Sequence, residues 1–247
     1  MEYDIFSPQS IKKVLKSQGH TFSPQSCERL PELLYDLLER YGRVWEGSPT
    51  HPPLTPKSQA SDIFALNLPT LTFLMALSLP SFTPRTSSLF QSDTRALLKP
   101  FLTGVFEKEN KSISDLASPL GRTVAMQLPL LSAWDDLDAS NHDFNNLLID
   151  ISVAYKLSYK AVLDQDNDSI LDYIAIYAKE NLNDFLVWLS NHHPHVFTQT
   201  PHMFTQTLEA SPNAKTALKL LERATLKESV QDLSSQKPQK TAPFHKM

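Results

Sequence analysis

Residues 143–191 limit the fold more than any other stretch of this chain. In the second half of the stretch, apolar residues recur at steps of three and four, which places them on one face of an α-helix. Ser169 and Asp172 have the spacing of a capping box where that helix would start. The apolar positions are Leu171, Ile174, Ala178, Leu182, Phe185 and Leu189.

The first half of the same stretch carries a comparable stripe at Leu148, Ile151, Tyr155, Tyr159 and Val162. Between the two stripes lies an Asp-rich run, residues 164–168, which continues a helix poorly and starts a new one well. We therefore expect an antiparallel helical hairpin whose apolar faces are covered by other helices of the chain.

Composition favours an all-α fold. Apolar residues make up 41% of the 247 residues, enough for a sizeable core, while only five glycines occur and no sustained period-two alternation is present. The 18 prolines divide the chain into short helices. The sequence predicts an irregular domain of about seven to ten helices around the central hairpin, with a disordered C-terminal tail.

Three segments are predicted. Residues 1–85 form a proline-rich N-terminal helical segment, residues 86–226 the main helical domain, and residues 227–247 the tail, which is polar and rich in Ser, Gln and Lys. The pentapeptide Phe-Ser-Pro-Gln-Ser occurs at residues 6–10 and again at 22–26, and each copy predicts a helix start with Ser as N-cap.

An uncharged apolar stretch, residues 63–84, raises the question of a membrane span. Pro69 and Pro80 leave only about ten uninterrupted residues between them, half of what a bilayer needs, so a buried core helix is expected. The chain opens without a charged-then-apolar leader, and we expect no signal peptide.

The net charge and the cysteine content limit which kinds of partner and which cellular compartment are expected. The net charge of −4 gives no case for direct nucleic-acid binding. Residues 131–190 hold eleven acids and three bases, which predicts either a solvated face or a docking surface for a basic partner at Asp172, Glu180 and Asp184. The single cysteine, Cys27, suits a reducing compartment such as the cytoplasm.

The N-terminal segment, residues 5–68, resembles the bromodomain-associated histone fold of TBP-associated factors. A short helix ending in Gly, a longer one running into Gly-Arg, a loop and then Ser-Asp-Ile follow that order. Pro31, the missing Arg-Thr and Pro69 depart from it. The resemblance implies pairing with a second helical chain through Leu30, Leu34 and Leu38, and a nuclear location. The matching residues are Ile11, Val14, Leu15, Gly19, Ser26, Leu30, Glu32, Leu33, Leu34, Gly42, Arg43, Ser61, Asp62 and Ile63.

Ordinary packing of the same leucines within a single domain is the competing interpretation, and it is the one we favour.

Three clusters of polar residues were weighed as ligand or catalytic sites. His192, His193, His195 and His202 are candidate zinc ligands, although no cysteine lies near them and a helix C-terminus also favours histidine. Asp164, Asp166, Asp168 and Asp172 have the spacing of a calcium loop that lacks the required glycine and final acid. A third polar cluster is expected to cap the first helix of the hairpin and to be solvated. It comprises Asp135, Asp136, Asp138, His142 and Asp143.

The sequence contains no glycine-rich phosphate loop, no nucleophile elbow, no His-Glu-x-x-His and no Cys-x-x-Cys. We therefore expect no cofactor and no metal, and a non-catalytic interaction, adaptor or assembly subunit of a multiprotein complex. Two alternatives stay open. One is a secreted bacterial effector or secretion-system adaptor, whose export signal would be the polar tail with Phe244 near its end. The other is an enzyme whose active site leaves no linear motif.

Overall fold

The computed structural model describes residues 2–41, 54–82, 92–133, 143–198 and 211–235. Within these ranges the chain forms eleven α-helices and no β-strand, only an isolated bridge between Ala117 and Thr123. The all-α prediction is confirmed; the count exceeds ten because α6, α8 and α10 are about one turn long. The helices are α1 Pro8–Ser17, α2 Pro24–Tyr41, α3 Ala60–Leu66, α4 Leu68–Leu77, α5 Ser92–Lys108, α6 Val124–Gln127, α7 Phe144–Ala154, α8 Ile170–Asp172, α9 Asn183–His192, α10 His195–Thr198 and α11 Pro212–Ser235.

The repeated pentapeptide starts two helices, as predicted. Ser7 accepts a hydrogen bond from the Ser10 amide at the start of α1, and Ser23 accepts one from the Ser26 amide at the start of α2. Gly19 ends α1 with φ of +69°. Its amide and that of the next residue bond back into the last turn, the Schellman arrangement that a residue without a Cβ adopts readily.

Helix α5 is the element against which the N-terminal helices pack. It contacts α1, α2 and α4, so contacts cross the predicted boundary at residue 85. Leu30, Leu34 and Leu38 on α2 are buried in the core of this chain itself. They leave little surface for a second chain to contact, because α1, α4 and α5 already cover the helix. Pro31 lies inside α2.

Two long-range caps secure the next helices. The Glu109 carboxylate accepts hydrogen bonds from the amides of Ala60, at 2.8 Å, and Ser61, at 3.1 Å, and so caps the start of α3. Arg95 on α5 donates to the carbonyls of Leu77, Leu79 and Phe82 at and beyond the end of α4.

The apolar stretch that raised the membrane question forms α3 and α4. Every residue of α4 except Pro69 is buried, as expected of a core helix. In the described ranges no single helix is long and apolar enough to cross a membrane, and the α3–α4 pair, which meets that test jointly, is bent by 107°.

The first helix of the expected hairpin is shorter than its apolar stripe. Helix α7 ends at Ala154, and Lys156 adopts φ of +50°, so the chain turns away before Tyr159 and Val162. The amide of Leu157 bonds to the Ser152 carbonyl in a Schellman motif that uses Lys in place of Gly. Tyr159 then folds back so that its hydroxyl lies 2.5 Å from that of Ser152.

The second helix of the hairpin is divided in two. Its predicted capping box is present, with the Asp172 carboxylate 2.7 Å from the Ser169 amide. After α8 the chain continues as a π-helical turn, Tyr173–Tyr177, and then leaves the helix at Ala178, whose ψ of 125° is extended. Helix α9 starts afresh at Asn183. One continuous helix over residues 170–189 was therefore a wrong expectation.

A buried side chain from α11 explains that break. Asn213 accepts a hydrogen bond from the Leu182 amide at 2.7 Å and donates to the carbonyls of Glu180 and Ile174 at 2.9 and 3.3 Å. Because these groups are satisfied by a side chain, they need no partners within a continuous helix.

Helix α11 runs to Ser235, so the first nine residues of the predicted tail are helical. Residues 236–247 lie outside the described residues.

Candidate functional site

A cleft lies between α9, α10 and the middle of α11. Its volume is about 560 Å³. The apolar lining includes Val187 from α9, Phe197 from α10, and Leu220 and Ala224 from α11, while Arg223 and Lys227 supply cationic side chains. The site therefore combines an apolar floor with a positively charged wall.

The cleft forms because neighbouring helices cover the first turns of α11 but leave its later turns exposed. Ala214 and Ala217 are fully buried, and their small side chains let the first turns of α11 approach α9 and the π-helical turn closely. Farther along, Leu226 is 65% exposed and Val230 is 64% exposed. Helix α9 ends at His192 and α10 adds a single turn, so the later turns of α11 have little beside them.

The charge of the cleft is one-sided. Of its twelve lining residues none is Asp or Glu, although the whole chain has a net charge of −4. The residues that α11 contributes recur at steps of three and four and so form one face of the helix. They are Leu220, Arg223, Ala224, Lys227 and Gln231.

Among the four candidate zinc ligands, His192 and His193 contact Trp188, and His195, which lines the cleft, contacts His193. His192 stacks on the indole, and its Nδ1 lies 2.8 Å from the Trp188 carbonyl. His195 uses Nε2 for the carbonyl of Tyr159. Burial, followed by the neighbouring His195 and His192, lowers the pKa of His193.

These imidazoles are therefore committed to packing and to backbone carbonyls. Across the ranges that the structure covers, no group of three or more His, Cys, Asp or Glu side chains is placed to hold a metal ion. His202, the fourth candidate, lies outside the described residues.

The acidic turn that resembles a calcium loop is hydrogen-bonded to its own backbone and to Tyr173. Both oxygens of Asp164 are used, Oδ1 by the amides of Asp166 and Asp168 at 2.9 Å and Oδ2 by the Tyr173 hydroxyl at 2.7 Å. Arg122 approaches the same carboxylate at 3.6 Å. Burial, together with the hydrogen bond to Asp164, raises the pKa of Tyr173, so the phenol stays protonated and remains a donor. The turn is a structural element.

The predicted interaction residues on the acidic face separate into two kinds. Asp172 is buried and serves as the cap of Ser169, so it is not a surface residue. Glu180 and Asp184 are exposed, as a docking surface would require. Of the third polar cluster, residues 135–142 lie outside the described residues, and Asp143 caps α7 through the Asn146 amide.

Cys27 is buried, and burial raises the pKa of its thiol, so it is an inert core residue.

Sequence reasoning missed the cleft. It placed Lys227 in a disordered tail and did not single out the other residues that line the cleft from α11. One usable signal was present, since Lys215, Lys219, Arg223 and Lys227 recur every four residues and predict a cationic stripe on a helix. The opposite wall, from α9 and α10, depends on tertiary packing that no local pattern encodes.

Comparison with known proteins finds no matching family model, no matching curated protein and no matching solved structure.

Proposed function

We propose that this chain is a non-catalytic protein-binding module, an adaptor or assembly subunit, and that the cleft between α9, α10 and α11 is its docking surface. The observation that supports this most is an apolar floor, formed by Val187 on α9 and Ala224 on α11, together with the exposed apolar side chains Leu226 and Val230 elsewhere on α11. Protein interfaces combine an apolar centre with a polar rim, and arginine is enriched in them.

The chemistry of the lining favours a protein over a small molecule. Small-molecule sites orient their ligand with a few precisely placed polar groups. Here every polar side chain that lines the cleft is exposed or half-buried, and Ser190, His195 and Thr198 are hydrogen-bonded to backbone carbonyls, so these three are not placed to orient a small ligand. Leu226 and Val230 also add exposed apolar surface on α11 outside the lining of the cleft.

The proposal is tested by affinity capture with a blocked cleft. Ala224→Arg places a long side chain on the cleft floor, and Thr225→Arg adds the same charge at an exposed neighbouring position that does not line the cleft. Both variants are first matched to the wild type by circular dichroism and thermal melting. We expect quantitative mass spectrometry to show a protein that Thr225→Arg and the wild type retain and that Ala224→Arg loses.

If all three baits capture the same proteins in the same amounts, the cleft is not the docking surface. The effector and enzyme alternatives stay untested hypotheses, and the identity of a cleft-dependent partner would discriminate between them.

A further inference from the structure

We infer that the partner seated in this cleft presents an acidic amphipathic helix. The inference rests on the proposed function and deepens it by naming the chemistry of the partner. Helix-in-groove recognition lays the apolar face of one helix into an apolar groove, and flanking charges set its register. The cleft offers the groove, and α11 offers the charges.

The first line of support is the cationic stripe of α11. Lys215, Lys219, Arg223 and Lys227 follow one another at four-residue steps, and like charges at that spacing destabilise an isolated helix. None of the four belongs to an ion pair among the residues described. The stripe is about 18 Å long, at 1.5 Å of rise per residue. Acidic side chains spaced one turn apart on a docked helix would lie opposite the cations of this stripe.

The second line of support is the apolar surface beside that stripe. Leu226 and Val230 each precede a cleft-lining residue, Lys227 and Gln231, by one position, which places them about 100° around α11 and outside the cleft lining. Val187 on the facing helix is 45% exposed. Two apolar residues of an incoming helix, spaced by one turn, would cover the apolar lining at Val187, Leu220 and Ala224 while its acids reach Arg223 and Lys227.

Other occupants fit less well. The last twelve residues of this chain, 236–247, contain three lysines and no acid, so they carry the same charge as the cleft wall. A second copy offers the exposed acids Glu180 and Asp184, but only Asp184 lies on a helix, α9, so the pair does not form an acidic helical face. Nucleic acid and anionic lipid are also polyanions, but the one aromatic ring lining the cleft, Phe197, is buried and gives no stacking surface for bases.

The test uses the full chain and two labelled 18-residue helical peptides with identical leucine positions, one carrying glutamate at its polar positions and the other lysine. Fluorescence anisotropy is read at low and high salt. We expect the acidic peptide alone to bind, and more weakly at high salt because exposed charges are screened. Reversing both cleft charges, Arg223→Glu with Lys227→Glu, should weaken its binding about tenfold or more and admit the basic peptide.

Lys13→Glu with Lys16→Glu is the matched control. It makes the same change in net charge on exposed positions of α1. This variant should keep the affinity of the wild type within about twofold, since exposed charges beyond the Debye length are screened. Equal loss in both double variants would mean that net charge alone drives binding, and the inference would fall.

Further outcomes also overturn it. These are equal binding of the basic peptide, binding of anionic vesicles or a DNA duplex without binding of the acidic peptide, and a concentration-dependent dimer that Arg223→Glu with Lys227→Glu abolishes. If neither peptide binds while Ala224→Arg still loses a captured protein, the acidic-helix inference fails and the proposed function stands. If the capture is unchanged as well, both fail.

Discussion

Helices α1 to α5 meet through apolar side chains, one close helix–helix approach and the charged caps of Glu109 and Arg95, whereas α7 to α11 are joined by side-chain amides. In the first region Gly104 on α5 lies so close to α1 that an added Cβ would sit 2.6 Å from Val14 Cγ1. In the second region Asn213 and Asn145 bond to the backbone around the break before α9. In the first region distant hydrogen bonds cap helices that periodicity already predicts, whereas in the second they accompany a break that periodicity does not predict.

Separate expression of residues 1–85 and 86–226 should have the largest effect, because α5 supplies the surface on which α1, α2 and α4 pack. We expect neither fragment to give a cooperative thermal transition alone, and mixing them to restore one. If residues 86–226 melt cooperatively alone and residues 1–85 fold only with a foreign chain, the result supports the histone-fold hypothesis. The two regions are then separate folding units.

Phe185→Ala should lose about 3–5 kcal/mol of the free energy of unfolding, because the ring is fully buried against Tyr159 and Trp188. Phe101→Ala in the first region removes an equally buried ring and should cost a similar amount. Urea titration measures both. A loss below about 1 kcal/mol for Phe185→Ala would place that ring at the surface and make the second region less well packed than the first.

Asn213→Ala should lose about 2–4 kcal/mol, because the Leu182 amide and two carbonyls are left buried without this partner. Asn191→Ala removes an exposed amide from α9 and should stay within about 0.5 kcal/mol of the wild type. Should both variants unfold at the same urea concentration, the buried amide does not hold the break, and the contrast between the two regions disappears.

Gly104→Ala should lose about 1 kcal/mol, since crowding against Val14 outweighs the better helix propensity of alanine. The double variant with Val14→Ala removes the clashing methyl group. A double-mutant cycle should therefore show a favourable coupling between the two changes. Additive losses would mean that α1 moves aside and that the approach is not tight.

Removal of residues 228–247 should change the melting temperature least. The described side chains in this stretch are exposed, with Val230 at 64%, so the end of α11 adds little to the core. Differential scanning calorimetry of the truncated and full chains measures the effect. A drop of several degrees would show that the end of α11 packs on the body and that the cleft is partly filled by the chain itself.

Periodicity and capping predicted most of the first region. The serine caps and the Gly19 terminus are local features, and the structure has them at the expected residues. The second region could not be predicted in the same way. Lys156 adopts a left-handed backbone conformation, which is usually found at glycine. The break at Ala178 depends on Asn213, a residue 35 positions farther along the chain.

The candidate site was only partly visible in the sequence for a related reason. The four-residue recurrence of cations on α11 is local and could be read directly. The opposing wall needs the positions of Val187 and Phe197 relative to Ala224, which follow from how three helices pack.

The Glu109 cap has a consequence for synthesis of the chain. The amides of Ala60 and Ser61 are made 49 and 48 residues before the carboxylate that they bond to. Chains grow from the N-terminus and fold as their parts become available. Until residue 109 has been added, α3 lacks this cap, and α4, the helix with nearly every residue buried, lacks α5 as its cover. A ribosome pause after α4 has left the exit tunnel and before α5 has left it would therefore expose the most apolar of the described helices to other molecules.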